Sequence, residues 1–316
     1  MTIETKIMKV LAGVVLISVF MSACDRKDKE VKGFDTISSG TIHISVDESF
    51  KPVIDEQITM YQEAYPGTRI IAHYKPEADC IRDLFRDSMT RTVIITRPIL
   101  PQEEKYLYDS LNYYPGNNQV ATDAIAIVVN IQSADTLFTL QRLHDQLTGK
   151  INRQQTIVFD GLNATSTVRF ITDSVLKGGK FDTSVVKARR TSREVLDYVA
   201  ANENAIGFVG INWIGNPEIP EQVAMLKKVK LAYVECMVCD SAPYVKPLQA
   251  SILSRRYPLV RGLYYVNKEN YQGLGSGFVS FLKSERGQLI FRRAYLGPVM
   301  ELGIRNLRLN EKIPDK

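Results

Sequence analysis

The feature that most constrains the fold is a regular alternation of strand-like and helix-like segments early in the chain. Residues 41–46 (TIHISV) alternate apolar and polar side chains, as a half-buried strand does. The next segment places Ile54, Ile58, Tyr61 and Tyr65 on one helical face. Further strands are predicted at 69–73 and 92–96, and further helices at 77–88 and 102–111. This β-α-β-α-β order is typical of a parallel sheet with helices on its faces.

A second α/β unit follows. The continuous apolar run at 123–130 (DAIAIVVN) predicts a strand that is buried on both faces. Later strands are predicted at 156–159, 205–209 and 259–266, and later helices at 166–176, 192–201, 277–283 and 287–295. We expect lobe I to comprise 39–120 and 233–316, and an inserted lobe II to comprise 121–232. Two chain crossings between α/β lobes form a hinge and a cleft.

The first 23 residues predict a lipoprotein signal peptide. A short basic stretch precedes an apolar run that is shorter than the about 20 residues needed to span a bilayer. Small residues then precede Cys24, as in the lipobox that signal peptidase II cleaves. We therefore expect Cys24 to carry a lipid and the charged segment 24–38 to be a flexible tether. Because Met21 stands where Leu is usual, an ordinary signal peptide or an uncleaved anchor is the alternative.

Charge and cysteine content narrow the possible partners. The formal net charge is +5 and the basic residues are scattered, so nothing indicates nucleic acid, whereas an anionic ligand is compatible. Cys236 and Cys239 form a lone C-x-x-C, and the three histidines are far apart in the sequence. We therefore expect no metal site and no cofactor. Apolar packing or an optional disulfide is the expected role of the two cysteines.

Two strand-to-helix junctions are candidates for ligand binding, because open parallel sheets bind ligands beyond their strand ends, at helix N-termini. The first is the segment 47–50 (DESF), where backbone N–H groups near Ser49 and Phe50 would face the cleft. A plain helix cap is the alternative there. The second is the segment 163–169 (NATSTVR), which combines polar side chains with one positive charge. Its candidate residues are Asn163, Thr165, Ser166, Thr167 and Arg169.

At these residues the chain resembles the PstS-type substrate-binding lipoproteins of phosphate ABC transporters, which belong to the type II periplasmic binding protein superfamily. The resemblance implies a two-lobe fold of type II. It also implies phosphate binding by Ser49 and Phe50 from the first lobe, and by Thr165, Ser166 and Thr167 from the second, with Arg169 close by. It is collinear over nearly all of the mature chain. The similar stretches are 44–56, 73–88, 121–130, 157–180, 204–214, 257–267 and 273–290.

The chain departs from that family at two places. Members place a Gly-Ser-Gly-type turn after the second strand, where this chain has 75–79 (KPEAD). They also place an acidic residue after the third strand, where this chain has Thr96 and Arg97. Arg97 would add a fixed positive charge to the site. Glu77 or Asp79 could supply the missing acceptor, or could simply cap the helix that follows.

The expected function is therefore binding rather than catalysis. The sequence has no G-x-S-x-G nucleophile elbow and no H-E-x-x-H motif. The resemblance implies that the protein captures phosphate, or a similar oxyanion, and delivers it to an ABC permease. The expected location is the cell envelope, facing the periplasm or the cell surface. The alternatives are a lipoprotein of the same fold that senses or binds another ligand, and an exported phosphoester-processing enzyme using Lys75, Glu77 and Arg97.

Overall fold

The computed structural model describes residues 35–151, 155–161, 165–240 and 243–300. Within them, strands alternate with helices, so the predicted α/β class is confirmed. The predicted signal peptide, Cys24 and the candidate Asn163 lie outside the described residues. None of the described helices is long and apolar enough to cross a membrane.

Most strands in the described part of the chain are short, and β4 is the longest of them with 15 residues. The strands are β1 (Ser39–Asp47), β2 (Gly67–Lys75), β3 (Thr90–Ile95), β4 (Gly116–Asn130), β5 (Leu137–Phe138), β6 (Thr156–Phe159), β7 (Val186–Ala188), β8 (Ala205–Gly210), β9 (Val229–Leu231), β10 (Tyr233–Glu235), β11 (Tyr244–Val245), β12 (Val260–Asn267) and β13 (Gly297–Pro298). The larger sheet has the order β2-β1-β3-β12-β4-β8-β6-β7, and β9 and β13 also pair with β4.

The helices cover the faces of this sheet. They are α1 (Lys51–Ala64), α2 (Glu77–Arg86), α3 (Pro101–Leu111), α4 (Leu140–Leu147), α5 (Ser166–Ser174), α6 (Ser192–Ala201), α7 (Pro220–Met225), α8 (Gln249–Leu253), α9 (Leu274–Lys283) and α10 (Glu285–Arg293). Short 3-10 turns lie at Glu48–Phe50 and Ile211–Trp213. The helix predicted from Ile54, Ile58, Tyr61 and Tyr65 corresponds to α1. The first three side chains are buried in the core, whereas Tyr65 is the C-cap of the helix and is exposed.

Strand β4 is shared by both halves of the larger sheet. Its residues 116–124 pair with β12, whereas its residues 125–130 pair with β8 and β9. We call β1, β2, β3 and β12 the first half of the sheet, and β6, β7, β8 and β9 the second half. Residues 120–130 of β4 are buried, as expected for a strand that is covered on both faces. Helix α6 contributes to this cover by packing against β4 and β8.

The strand pairing bears on where the lobes begin and end. Asp35, four residues before the expected start at Ser39, already belongs to the packed chain, because its carboxylate accepts hydrogen bonds from Leu274 N and Tyr271 Oη. Strands β10 and β11 form a small separate sheet with β5. The chain just beyond residue 232 therefore still pairs with the segment that was predicted as inserted. The lobe boundaries themselves stay predictions.

The cysteines of the C-x-x-C motif are joined to each other. Cys236 and Cys239 form a disulfide, which is one of the two roles expected for them. Met237 and Val238 lie exposed between them. Cys80 is free and buried in α2.

Gly207 in β8 occupies a position where no side chain fits. A Cβ atom there would lie 2.8–2.9 Å from methyl carbons of Val128, Val195 and Val199. Because these side chains are held in the core, Gly207→Ala should lower the free energy of unfolding by about 1–3 kcal/mol. Gly116→Ala is the control, since its nearest neighbouring atom would be 3.9 Å away. Urea unfolding that gives equal losses for the two variants would contradict this prediction.

Candidate ligand-binding site

The two predicted strand-to-helix junctions lie against each other. Ser49, in the turn after β1, places its Oγ 3.3 Å from Ser166 Oγ and 3.5 Å from Thr167 Oγ1 at the start of α5. All three residues are 0 % exposed. The fold therefore brings together three of the predicted ligand residues, although Ser49 and Ser166 are 117 residues apart in the chain.

Other donors of these junctions are used to build the turns. Asp47 Oδ1 accepts a hydrogen bond from Ser49 N at 3.0 Å, so this N–H is not available to a ligand. Thr165 is the N-cap of α5, and its Oγ1 accepts a hydrogen bond from Val168 N at 3.3 Å. The hydroxyl hydrogens of Ser49 and Thr165 are not used within these turns, and both hydroxyl groups are hydrogen-bonded to Asp160. The capping alternative therefore describes part of both junctions.

A buried arginine that was not predicted adjoins these hydroxyl groups. Arg261 in β12 donates from Nε to Asp123 Oδ2 at 2.8 Å and from Nη1 to Ser166 Oγ at 2.9 Å. Its Cζ lies 5.1 Å from the centre of the Phe50 ring, a distance at which the ring stabilises the cation. Phe50 thus contributes its ring to the site by positioning the guanidinium group.

Three buried carboxylates surround Arg261. Besides Asp123, they are Asp47 and Asp160, and Asp160 Oδ2 accepts hydrogen bonds from Ser49 Oγ and Thr167 Oγ1 at 3.3 and 3.2 Å. Burial opposes the charge of Arg261, but Asp123 and Asp47 raise its pKa above the ordinary value. We call this group the polar cluster. Its members are Asp47, Ser49, Asp123, Asp160, Ser166, Thr167 and Arg261.

The polar cluster contains three carboxyl groups and one guanidinium group, and burial disfavours the ionised form of all three carboxyl groups. Burial raises the pKa of Asp47 to about 7, and the negative charge of Glu77 adds to this rise. Burial also raises the pKa of Asp160 above the ordinary range. Among the described residues, Asp47 Oδ2, Asp160 Oδ1 and Arg261 Nη2 have no hydrogen-bond partner. The cluster therefore offers both acceptors and a charged donor to a buried ligand.

Arg169 and Glu77 meet beside the polar cluster. Glu77 Oε1 accepts hydrogen bonds from Thr96 N and Oγ1 at 2.8 and 2.6 Å, and its Oε2 accepts one from Arg169 Nε at 2.7 Å. Arg169 Nη2 also donates to Thr96 Oγ1 at 2.8 Å. Burial disfavours the ionised carboxylate, but the bond from Arg169 leaves the pKa of Glu77 below the ordinary value. Three further candidates are thus brought together, bonded to one another.

Arg97 is placed differently from the expectation. Its guanidinium group forms two hydrogen bonds of 2.7 Å with the carboxylate of Glu103 in α3. Glu103 also accepts a hydrogen bond from Leu100 N, which caps that helix. The charge of Arg97 is therefore balanced locally, six residues along the chain.

Sequence and structure comparisons agree with this architecture. The model of the PBP superfamily domain matches residues 35–286. The chain belongs to the PBP superfamily. No curated protein matches it in sequence.

Solved PBP structures share its two-lobe fold. A protein from Clostridium perfringens with bound phosphate, assigned to phosphate ABC transport, is similar with a TM-score of 0.65 and 19% identity, over 83% of this chain and 100% of that chain. An ABC-type phosphate transport receptor from Vibrio cholerae is similar with a TM-score of 0.58 and 17% identity, over 82% of this chain and 100% of that chain. PstS from Borrelia burgdorferi is similar with a TM-score of 0.50 and 18% identity, over 82% of this chain and 99% of that chain. The predicted two-lobe periplasmic binding protein fold is confirmed.

A second contact between the halves of this PBP fold also lies near the polar cluster. The Glu48 carboxylate accepts hydrogen bonds from Ser192 N at 3.2 Å and from Ser192 Oγ at 2.8 Å. Ser192 is the first residue of α6. Burial, with a smaller contribution from Asp160, raises the pKa of Glu48 to about 7. This contact was not predicted from the sequence.

The raised pKa of Asp47 predicts a pH-dependent stability. Because the folded-state pKa is about 7 and the ordinary value is 3.8, folding favours the protonated acid. The resulting penalty is complete above pH 7 and diminishes as the pH falls from 7 towards 4. Asp47→Asn keeps an acceptor for Ser49 N and removes the penalty. It should stabilise the ligand-free protein at pH 8 by on the order of 2 kcal/mol and by less at pH 5.

Thermal unfolding at the two pH values checks this prediction. Asp79→Asn is the matched control, since Asp79 lies in the first turn of α2, is half-exposed and pairs with Arg82. If Asp47→Asn is less stable than wild type at pH 8, then Asp47 is held ionised by Arg261, and the prediction is wrong.

Proposed function

We propose that this protein is an extracytoplasmic solute-binding protein that captures an oxyanion, with inorganic phosphate as the first candidate, for import through an ABC permease. The observation that carries the proposal is the polar cluster. Its hydroxyl groups and its one guanidinium group come from β12 and from the two strand-to-helix junctions, and all of them are buried. Hydroxyl and guanidinium donors at a helix N-terminus suit a tetrahedral oxyanion.

The hydrogen bonds made by the cluster hydroxyl groups are long, so they can be replaced by bonds to a ligand. Their O···O distances of 3.2–3.5 Å exceed the usual 2.7–2.8 Å for O–H···O bonds. Such weak mutual bonds can be exchanged for stronger ones to a charged ligand, because hydrogen bonds to ions are shorter and stronger. The hydroxyl groups of the cluster can thus act as donors to a bound anion.

The carboxylates favour phosphate over sulfate. A buried carboxylate tolerates an adjacent oxyanion when a hydrogen lies between them, and phosphate retains a hydrogen at neutral pH whereas sulfate does not. Asp47 and Asp160, each with an oxygen that lacks a partner among the described residues, would be the acceptors. The phosphate named for the Clostridium perfringens and Vibrio cholerae proteins supports the same ligand class here.

The rest of the proposed function comes from the sequence. Cys24 would carry the lipid that holds the protein to a membrane, and the tether after it would keep the protein close to the permease. Anchoring of this kind raises the effective concentration of a binding protein at its membrane partner. The proposal includes no chemical step, and the location would be the cell envelope.

Calorimetric titration of residues 33–316 with phosphate, sulfate, arsenate and molybdate tests the proposal. We expect saturable binding of phosphate at one site and much weaker binding of sulfate. Ser166→Ala should weaken phosphate binding by about 10- to 100-fold, because it removes a donor from a buried anion. Thr172→Ala is the control in the same helix. No heat with any of these anions, for folded and dialysed protein, would refute the proposal, and equal affinities of the two variants would exclude this cluster as the site.

A further inference from the structure

We propose that Arg169, Glu77 and Thr96 form a latch that holds the two halves of the sheet closed over a bound ligand. This inference rests on the proposed function. Arg169 belongs to α5, which follows β6 of the second half. Glu77 is the first residue of α2, which follows β2, and Thr96 directly follows β3, so both adjoin strands of the first half. The contact spans 92 residues of sequence. It therefore joins segments that are distant in the sequence and that adjoin different halves of the sheet.

Each of the three side chains is hydrogen-bonded to the other two. The Thr96 hydroxyl donates its hydrogen to Glu77 and accepts one from Arg169, and both carboxylate oxygens of Glu77 are bonded. These distances of 2.6–2.8 Å are those of strong, charge-assisted hydrogen bonds. Glu77 is 2 % exposed, so the contact is shielded from water on the carboxylate side.

The contact can also open without leaving either charged group short of a hydrogen-bond or ion-pair partner. Arg169 has a second partner on its own helix, Asp173, with Nη1 and Oδ2 3.6 Å apart. Glu77 would keep its two hydrogen bonds from Thr96, which lie entirely within the first half. The Arg169 side chain is 35 % exposed and can reach solvent. Since Arg169 retains an ion-pair partner and Glu77 retains two hydrogen bonds, opening costs less than leaving a buried ion without any partner.

Helix α5 couples this contact to the ligand. Its first two residues, Ser166 and Thr167, belong to the polar cluster, and Arg169 follows within the same turn. Movement of α5 towards a ligand between the junctions would therefore also bring Arg169 to Glu77. A contact that forms together with closure should slow ligand release more than it affects ligand entry.

The competing assignment is that Arg169 binds the ligand directly, as its position in the second junction suggested. The two assignments differ in the role of Glu77. If Arg169 binds the anion, then Glu77→Gln frees the guanidinium group, and ligand binding is retained or strengthened. If the contact is a latch, Glu77→Gln and Arg169→Gln weaken ligand retention alike, and the double variant is no worse than either single one.

Stopped-flow kinetics of phosphate binding to residues 33–316 would test the latch. Both single variants should raise the dissociation rate constant by about tenfold and leave the association rate constant within about twofold of wild type. Arg193→Gln is the matched control, because Arg193 pairs with Asp197 four residues along α6 and spans no junction. Thermal unfolding of each ligand-free variant identifies any that simply fails to fold.

The outcomes separate the two proposals. Wild-type protein that binds none of the four anions refutes the proposed function and the latch with it. Phosphate binding by wild type with an unchanged dissociation rate in Arg169→Gln, relative to Arg193→Gln, refutes the latch alone. Tighter binding by Glu77→Gln also refutes the latch and assigns Arg169 to the ligand.

Discussion

The site depends on the buried ion pair between Arg261 and Asp123. The two residues face each other across β12 and β4, and their side chains are 2 % and 0 % exposed. Asp123 lies just before the point where β4 passes from the first half of the sheet to the second. Removing one partner of a buried pair costs about 3–5 kcal/mol, because the other charge stays buried. Neither residue can change alone, and a guanidinium group is therefore held where the two halves join.

This ion pair determines what the neighbouring groups can do. Arg261 donates to Ser166 at the start of α5, so a strand of the first half positions a hydroxyl group of the second. Its charge is shared among three carboxylates, since the carboxylates of Asp123, Asp47 and Asp160 all act on it. Any of these carboxylates that is ionised would repel a fully deprotonated anion, whereas it can accept a hydrogen bond from an anion that carries hydrogens. The same arrangement thus provides attraction and a basis for discrimination.

The sequence predicts the elements and the junctions better than it predicts the partners. Ser49, Ser166 and Thr167 could be found because they follow strands and open helical segments, and that pattern is local. Arg261 gave one local signal, a charge within an apolar strand (PLVRGLYYV), which indicates a buried partner without identifying it. Arg97 shows the opposite difficulty: its position after β3 predicts a site residue, but the sequence does not reveal that Glu103, six residues later, pairs with its charge. Side-chain partners depend on distances that only the folded chain determines.

The hydrogen bonds made by the hydroxyl groups of the polar cluster differ in length from those made by Glu77 and Glu48 nearby. The hydroxyl groups of the cluster lie 3.2–3.5 Å from one another and from Asp160. On either side, Glu77 and Glu48 make bonds of 2.6–2.8 Å to Thr96, Arg169 and Ser192. In the proposed function, the short bonds of Glu77 and Glu48 join the two halves, whereas the longer bonds of the cluster hydroxyl groups can be exchanged for bonds to a ligand. Closure and ligand binding thus use separate sets of hydrogen bonds, and the start of α5 contributes to both.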